Sequence, residues 1–182
     1  MLQRSKRFLL GTTIALGLAT ASVAPVRAAS CADALNSTSE LSKFAELVQA
    51  SGLAVQLGTG TLTVFAPTNA ALGRIATATQ MLEGQSGQGQ PDFPRLQTLV
   101  RAHLVAGAHP ANEMDGQVTL TTLAGTSLTI NGADQRDIVL SSSAPDGVNL
   151  SGMHLMPGVH VTGPAIACDN GVVYSISNAL VQ

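Results

Sequence analysis

The sequence predicts an α+β fold, and three observations predict it. Helical periodicity dominates the first part of the chain, and short strand-like runs separated by turn residues fill the second. One early β-rich run, Thr61-Leu62-Thr63-Val64-Phe65, interrupts the helices. Helices first and strands afterwards argue a segregated α+β architecture, since a parallel α/β sheet would alternate them.

The elements follow in order. Ser37 with Glu40 three residues on reads as a capping box. Leu41, Phe44, Ala45 and Val48 then recur on one helical face until Gly52 stops the helix. After the strand run and Pro67, Thr68 is placed to cap a short helix carrying Ala70, Ala71 and Leu72. Gly84 to Gln90 (GQSGQGQ) reads as a flexible surface loop, and Pro91 and Pro94 punctuate the next helix. That helix carries Leu96, Leu99, Val100, His103 and Leu104 on one stripe. Beyond Gln117 come alternating pairs: Val118 with Leu120 and Thr122, Leu128 with Ile130, and Ile138 with Leu140. Gly125, Asn131-Gly132 and Asp146-Gly147 read as the turns between them. Val159 with Val161, then Val172, Val173 and Ile176, make the last strands.

Residues 1–28 read as a secretory signal peptide, leaving 29–182 as a single domain. Arg4, Lys6 and Arg7 precede an uncharged run from Phe8 to Val23, and Val26-Arg27-Ala28 places small residues at a cleavage site. The run is shorter than the ~20 residues of a spanning helix, and no second run is long enough. The expected location is therefore secreted, periplasmic or extracellular. The short leader and compact domain point to a bacterial host.

Apolar residues make up 45% of the chain and charged residues only 11%, which excludes a disordered chain. Losing Arg4, Lys6, Arg7 and Arg27 takes Lys+Arg from 9 to 5 against 11 Asp+Glu, a net charge of −6. Lys43, Arg74, Arg95, Arg101 and Arg136 are scattered, so no basic patch offers itself to nucleic acid or anionic lipid. Cys31 and Cys168 are an even pair in an exported chain, which reads first as a disulfide tethering the N-terminal segment to the last strand. So long a loop contributes about 5 kcal/mol at most in the chain-entropy model. The alternative is a lipid on Cys31, although Arg27 and the lack of an upstream Leu depart from a lipoprotein signal.

Three ordered segments resemble the boxes of a fasciclin domain. The first is Thr63-Val64-Phe65-Ala66-Pro67-Thr68-Asn69-Ala70-Ala71-Leu72. The second is Ala102-His103-Leu104-Val105-Ala106-Gly107, similar to the family's tyrosine-histidine motif but with Ala102 where Tyr is usual. The third is Asn170-Gly171-Val172-Val173-Tyr174-Ser175-Ile176-Ser177-Asn178-Ala179-Leu180, with Tyr174 where His is common and Ser177 where Asp is common. Leu120 to Ile130 fits the strand pair expected between the second and third boxes. The resemblance spans Cys31 to Val181. It implies a β-sandwich or wedge of about seven short strands with several helices packed on it. It also implies that the N-terminal segment runs close to the closing box, consistent with a Cys31–Cys168 bond. Thr63, Phe65, Pro67, Thr68, Asn69, His103, Asn170, Gly171 and Tyr174 read as residues that hold the fold. His103 on an apolar stripe is expected to be buried, with a satisfied ring nitrogen. Asn170-Gly171 is a dipeptide suited to a tight turn before a buried strand.

For function, the resemblance implies a secreted, non-catalytic adhesion or interaction module whose partner is a protein or carbohydrate of the envelope or matrix. The short Asp-Ile motif tied to receptor binding in animal members has no counterpart, because Gly163-Pro164-Ala165-Ile166 stands in its place. No G-x-S-x-G elbow is present, and Gly58-Thr59-Gly60 lacks the rest of any phosphate-binding pattern. No cofactor is expected. One unusual run remains: Met153-His154-Leu155-Met156-Pro157-Gly158-Val159-His160. Met153, His154, Leu155 and Met156 suit a partner-contact loop. The alternative is a periplasmic copper site using His154, Met156 and His160, with His109 and Met114 joining if the fold brings them near. Asn36-Ser37-Thr38 and Asn149-Leu150-Ser151 are glycosylation sequons, relevant only in a host that uses them.

Overall fold

The computed structural model describes residues 29–74, 92–132, 139–143 and 158–180, and these stack as helices, a mixed sheet and an antiparallel sheet. Residues 1–28, expected to be a signal peptide, Gly84 to Gln90, Ile138, Asp146-Gly147 and Met153 to Pro157 lie outside the described residues.

The helical layer begins earlier than the sequence pattern predicts. Helix α1 spans Cys31–Ser37, and its capping box is Ser30 with Asp33. The Ser30 hydroxyl accepts from Asp33 N at 3.2 Å, and the Asp33 carboxylate accepts from Ser30 N at 3.2 Å. Ser37 is instead in the last turn, donating to Ala34 O at 3.1 Å, and Glu40 falls in a 3₁₀ turn, Ser39–Leu41. The expected box fails because Cys31, Ala34 and Leu35 form a buried stripe that starts a helix upstream of it. Helix α2 (Ser42–Ala50) buries Phe44, Ala45, Leu47 and Val48, and α3 (Ala54–Thr59) buries Leu57.

Strand β1 (Leu62–Pro67) is buried at every position because both of its faces are covered. Leu62, Val64 and Ala66 face the helices, while Phe65 joins the core between the two sheets. Thr68 caps α4 (Asn69–Gly73) by accepting from Ala71 N at 3.2 Å. Asp92 caps α5 (Phe93–Ala102), with Pro94 in its first turn. Leu96, Leu99 and Val100 are buried as the stripe predicts, but the helix ends at His103. Leu104, expected on that stripe, opens strand β2 (Leu104–Ala106), antiparallel to β1.

The second sheet begins with β3 (Gly116–Thr121) and β4 (Ser127–Gly132), followed by β5 (Val139–Ser143) and β6 (Val159–His160). Asn131-Gly132 is not a turn: both residues pair with β3, and Gly132 is opposite Gly116. A Cβ at 132 would overlap the Met114 carbonyl, so the glycine marks a close approach. Strands β7 (Ile166–Cys168) and β8 (Gly171–Ile176) complete the first sheet, in the order β2-β1-β8-β7, and the second runs β3-β4-β5-β6. Eight strands are thus present among the described residues. The two three-residue strands, β2 and β7, carry no readable period.

Phe65, Tyr174 and Ile176 from the first sheet meet Leu128, Ile130, Leu140 and Val159 from the second. The isolated bridges Val105↔Thr122 and Val161↔Ile176 join the sheets. Cys31 and Cys168 are disulfide-bonded with Cα atoms 5.1 Å apart, within the usual ~4.4–6.8 Å. The bond reaches β7 rather than the final strand, β8. No helix among the described residues is long and apolar enough to cross a membrane.

Candidate functional site

β1 and β8 are a parallel pair, with Leu62 opposite Gly171 and Pro67 opposite Ile176. A Cβ at 171 would overlap the Leu62 carbonyl, so glycine is required where the strands begin. The turn between β7 and β8 is Asp169-Asn170, since Cys168 pairs directly with Gly171. Asn170 does more than turn the chain. Its Oδ1 accepts from Cys31 N at 2.9 Å, at the start of α1, and its Nδ2 donates to Leu57 O and Gly60 O, each at 2.7 Å. One amide therefore satisfies orphan groups at the start of α1 and the end of α3.

Asn69 acts in the same way. No side chain adjacent to α2 caps it, yet Asn69 Oδ1 accepts from Lys43 N at 2.9 Å. Asn69 Nδ2 donates to Ser39 O at 2.8 Å and Ser42 Oγ at 3.0 Å. Both asparagines are remote helix caps.

His103 is fully buried beside Phe44, with ring centroids 5.5 Å apart. Its Nδ1 lies 2.7 Å from Leu99 O, and its Nε2 lies 3.0 Å from Leu180 N. A carbonyl at one nitrogen and an N–H at the other assign the neutral ring with its proton on Nδ1. Burial pushes its pKa down from 6.5 to about 4, outweighing the bond to Leu99, which raises it.

Tyr174 stacks on Phe65 at 5.5 Å and donates to the His109 carbonyl at 2.9 Å. Burial, with the Glu113 carboxylate second, pushes the phenol up to about 12. Thr63 Oγ1 donates to Gly107 O and accepts from His109 N, each at 2.8 Å. Tyr174 and Thr63 thus pin the Gly107–His109 loop over the strands. The His109 ring is half-buried, with Nε2 3.1 Å from Ala106 O and Nδ1 3.9 Å from Glu113, and His109 meets the Tyr174 hydroxyl through its main-chain carbonyl. The polar atoms of Thr63, Asn69, His103, Asn170 and Tyr174 are committed to main-chain partners in the main, which is an arrangement for holding elements together.

An open groove of about 420 Å³ lies beyond the ends of β1 and β8, lined by Ser39, Glu40, Thr68, Asn69, Ala70 and Thr162. The sequence reading names Thr68 and Asn69 as residues that hold the fold, Glu40 and Ala70 only as helix residues, and Ser39 and Thr162 not at all, because three distant segments build the groove. Of the Met/His run, His160 is described and exposed; His154 and Met156 lie outside the described residues. Among the described residues no group of three His, Cys, Asp or Glu side chains is placed to hold a metal ion.

The fasciclin-domain family model matches residues 39–182. The chain belongs to the fasciclin family. Fasciclin domains are generally non-enzymatic modules associated with cell adhesion and surface proteins. The cell surface glycolipoproteins MPT83 of Mycobacterium tuberculosis and MPB83 of Mycobacterium bovis are each 36% identical to this fasciclin chain over 98 residues. That stretch is 54% of this chain and 39% of either relative, so the chain spans well under half of their length. A FAS1 domain pair from the insect cell adhesion molecule fasciclin I superposes with a TM-score of 0.63 at 17% identity, over 86% of this chain and 52% of that one. At that identity the likeness shows the fold alone.

Proposed function

We propose that this fasciclin domain is a secreted, non-catalytic adhesion module that binds a protein, matrix or carbohydrate partner through its surface loops. The observation that carries the reading is the use of the shared boxes: their polar side chains hold strands and helix ends together, which leaves recognition to the surface. The cell-surface names of the mycobacterial relatives support an extracellular or surface location. So do the leader pattern of residues 1–28 and the disulfide. The Cys31–Cys168 bond favours this reading over a lipid on Cys31, since a bonded sulfur has no thiol to offer. Immobilised domain challenged with matrix, glycan and envelope extracts tests the proposal. Saturable capture without substrate turnover is the expected result, and turnover without capture would overturn it.

A second reading, soft-metal binding, rests on Met153 to His160. Calorimetric titration with Cu(I) and Cu(II) separates it: it requires sub-micromolar affinity that a His154→Ala/Met156→Ala variant loses. Weak binding, or binding that the variant leaves unchanged, removes it.

A further inference from the structure

The groove beyond β1 and β8 differs from the rest of the site in what its side chains do. β1 and β8 run parallel, so the groove lies beyond the carboxyl ends of two adjacent strands. Beyond Pro67 the chain turns into α4 in the helical layer. Thr162 approaches from the other side, its N–H donating to Ser175 O at 2.8 Å. The 3₁₀ turn carrying Ser39 and Glu40 is held in place by the Asn69 amide. The walls are therefore fixed before any ligand arrives. A volume of about 420 Å³ suits a small ligand, within the ~300–1,000 Å³ of such clefts.

The inner groups are partly satisfied. The Thr68 hydroxyl accepts from Ala71 N and keeps a proton to donate, and the Asn69 amide is fully engaged. The outer groups differ: the Ser39 hydroxyl, the Glu40 carboxylate and the Thr162 hydroxyl bond to none of the described residues. Three hydroxyls and one carboxylate, with Ala70 the one apolar residue among the described lining, match a polyol. A carboxylate can accept from two adjacent hydroxyls at once. Peptide recognition relies on buried aromatic or Arg anchors in pockets, and the described lining offers none. The Glu40 charge and the excess of Asp and Glu over Lys and Arg disfavour an anionic ligand.

We propose that this groove binds an uncharged saccharide, with the Glu40 carboxylate accepting from a vicinal diol and the Ser39, Thr68 and Thr162 hydroxyls completing the contact. The proposal rests on the adhesion reading and names a ligand and a site for it. The test is binding of the exported chain to an array of uncharged hexose and N-acetylhexosamine oligosaccharides, with sulfated and sialylated glycans alongside and envelope-protein capture measured in parallel. Saturable binding confined to uncharged glycans is expected. Glu40→Gln should weaken it about tenfold, as loss of a charge-assisted hydrogen bond implies, and Thr162→Val severalfold. Both positions are exposed and bonded to none of the described residues, so the melting temperature should hold. Protein capture without glycan binding, or glycan binding indifferent to both substitutions, overturns the groove and leaves the adhesion reading standing. Preference for sulfated or sialylated glycans also overturns it. No capture of any kind removes both.

Discussion

The Nε2 of His103 accepts the main-chain N–H of Leu180 at 3.0 Å, tying the residue that ends α5 to the end of the closing box. The same ring donates through Nδ1 to Leu99 O, so one buried side chain joins segments 77 residues apart.

Replacing it should therefore be costly. His103→Ala leaves a cavity and an unpaired N–H at Leu180, together worth about 2–4 kcal/mol. That corresponds to a fall in melting temperature of roughly 5–15 °C for a domain of this size. An unchanged melting temperature would refute the linking role.

Acid should act through the same ring. The folded pKa, about 4, is below the ordinary 6.5, so between those values the unfolded chain takes up a proton that the folded chain refuses. This contribution is fully present above about pH 6.5 and is lost as pH falls toward 4. Scanning calorimetry should show a lower melting temperature at pH 4.5 than at pH 7. The fall should be smaller in His103→Leu, which has no proton to gain there. Equal falls in both proteins would place the acid sensitivity elsewhere.

Tyr174 is the chain's one tyrosine, and there is no tryptophan, so tyrosinate absorbance reports it alone. Folded protein should show no ionisation near pH 10 and a midpoint toward 12, or a step where alkali unfolds the chain. Tyr174→Phe, which strips the bond to His109 O, should cost about 1 kcal/mol. A free titration at pH 10 in folded protein would contradict the buried, bonded phenol.

Asn170→Ala removes three hydrogen bonds to two helix ends and should destabilise by about 2–4 kcal/mol. Asn170→Asp keeps the acceptor for Cys31 N but sets a carboxylate oxygen against the Leu57 and Gly60 carbonyls, so it should destabilise at least as much as Ala. Hydrogen exchange should locate the loss at Cys31 and around Leu57–Gly60. A loss spread evenly over β8 would argue against capping.

Reducing the Cys31–Cys168 bond should lower the melting temperature while the far-ultraviolet circular dichroism of the folded state persists. The entropic model sets an upper figure of about 5 kcal/mol. Reduction that abolishes the fold would show a core too weak to stand without the bond.

The central strands are legible in the sequence because sheet burial on both faces leaves apolar runs, as in Val172–Tyr174 and in Leu62–Ala66, which Thr63 alone interrupts. The α5 stripe is legible for a similar reason: its period survives one-sided burial. The remote caps are not. Asn69 serves Lys43 and Asn170 serves Cys31, 26 and 139 residues away, and no local pattern encodes such distances. Gly132 looks like a turn residue beside Asn131, yet its role is steric and set by Met114 from the preceding segment. The groove is hidden for the same reason, since Glu40, Thr68 and Thr162 meet only after the layers stack.

The most direct test of the account is partner capture measured beside thermal stability in one variant series. Replacing residues 84–90 with a Gly-Ser segment, or Met153 and Met156 with Ser, should change capture from envelope, matrix or glycan extracts and leave the melting temperature in place. His103→Ala should do the reverse at temperatures where it stays folded. Capture lost only in step with unfolding, or untouched by every surface substitution including Glu40→Gln, would contradict recognition by the domain's surface.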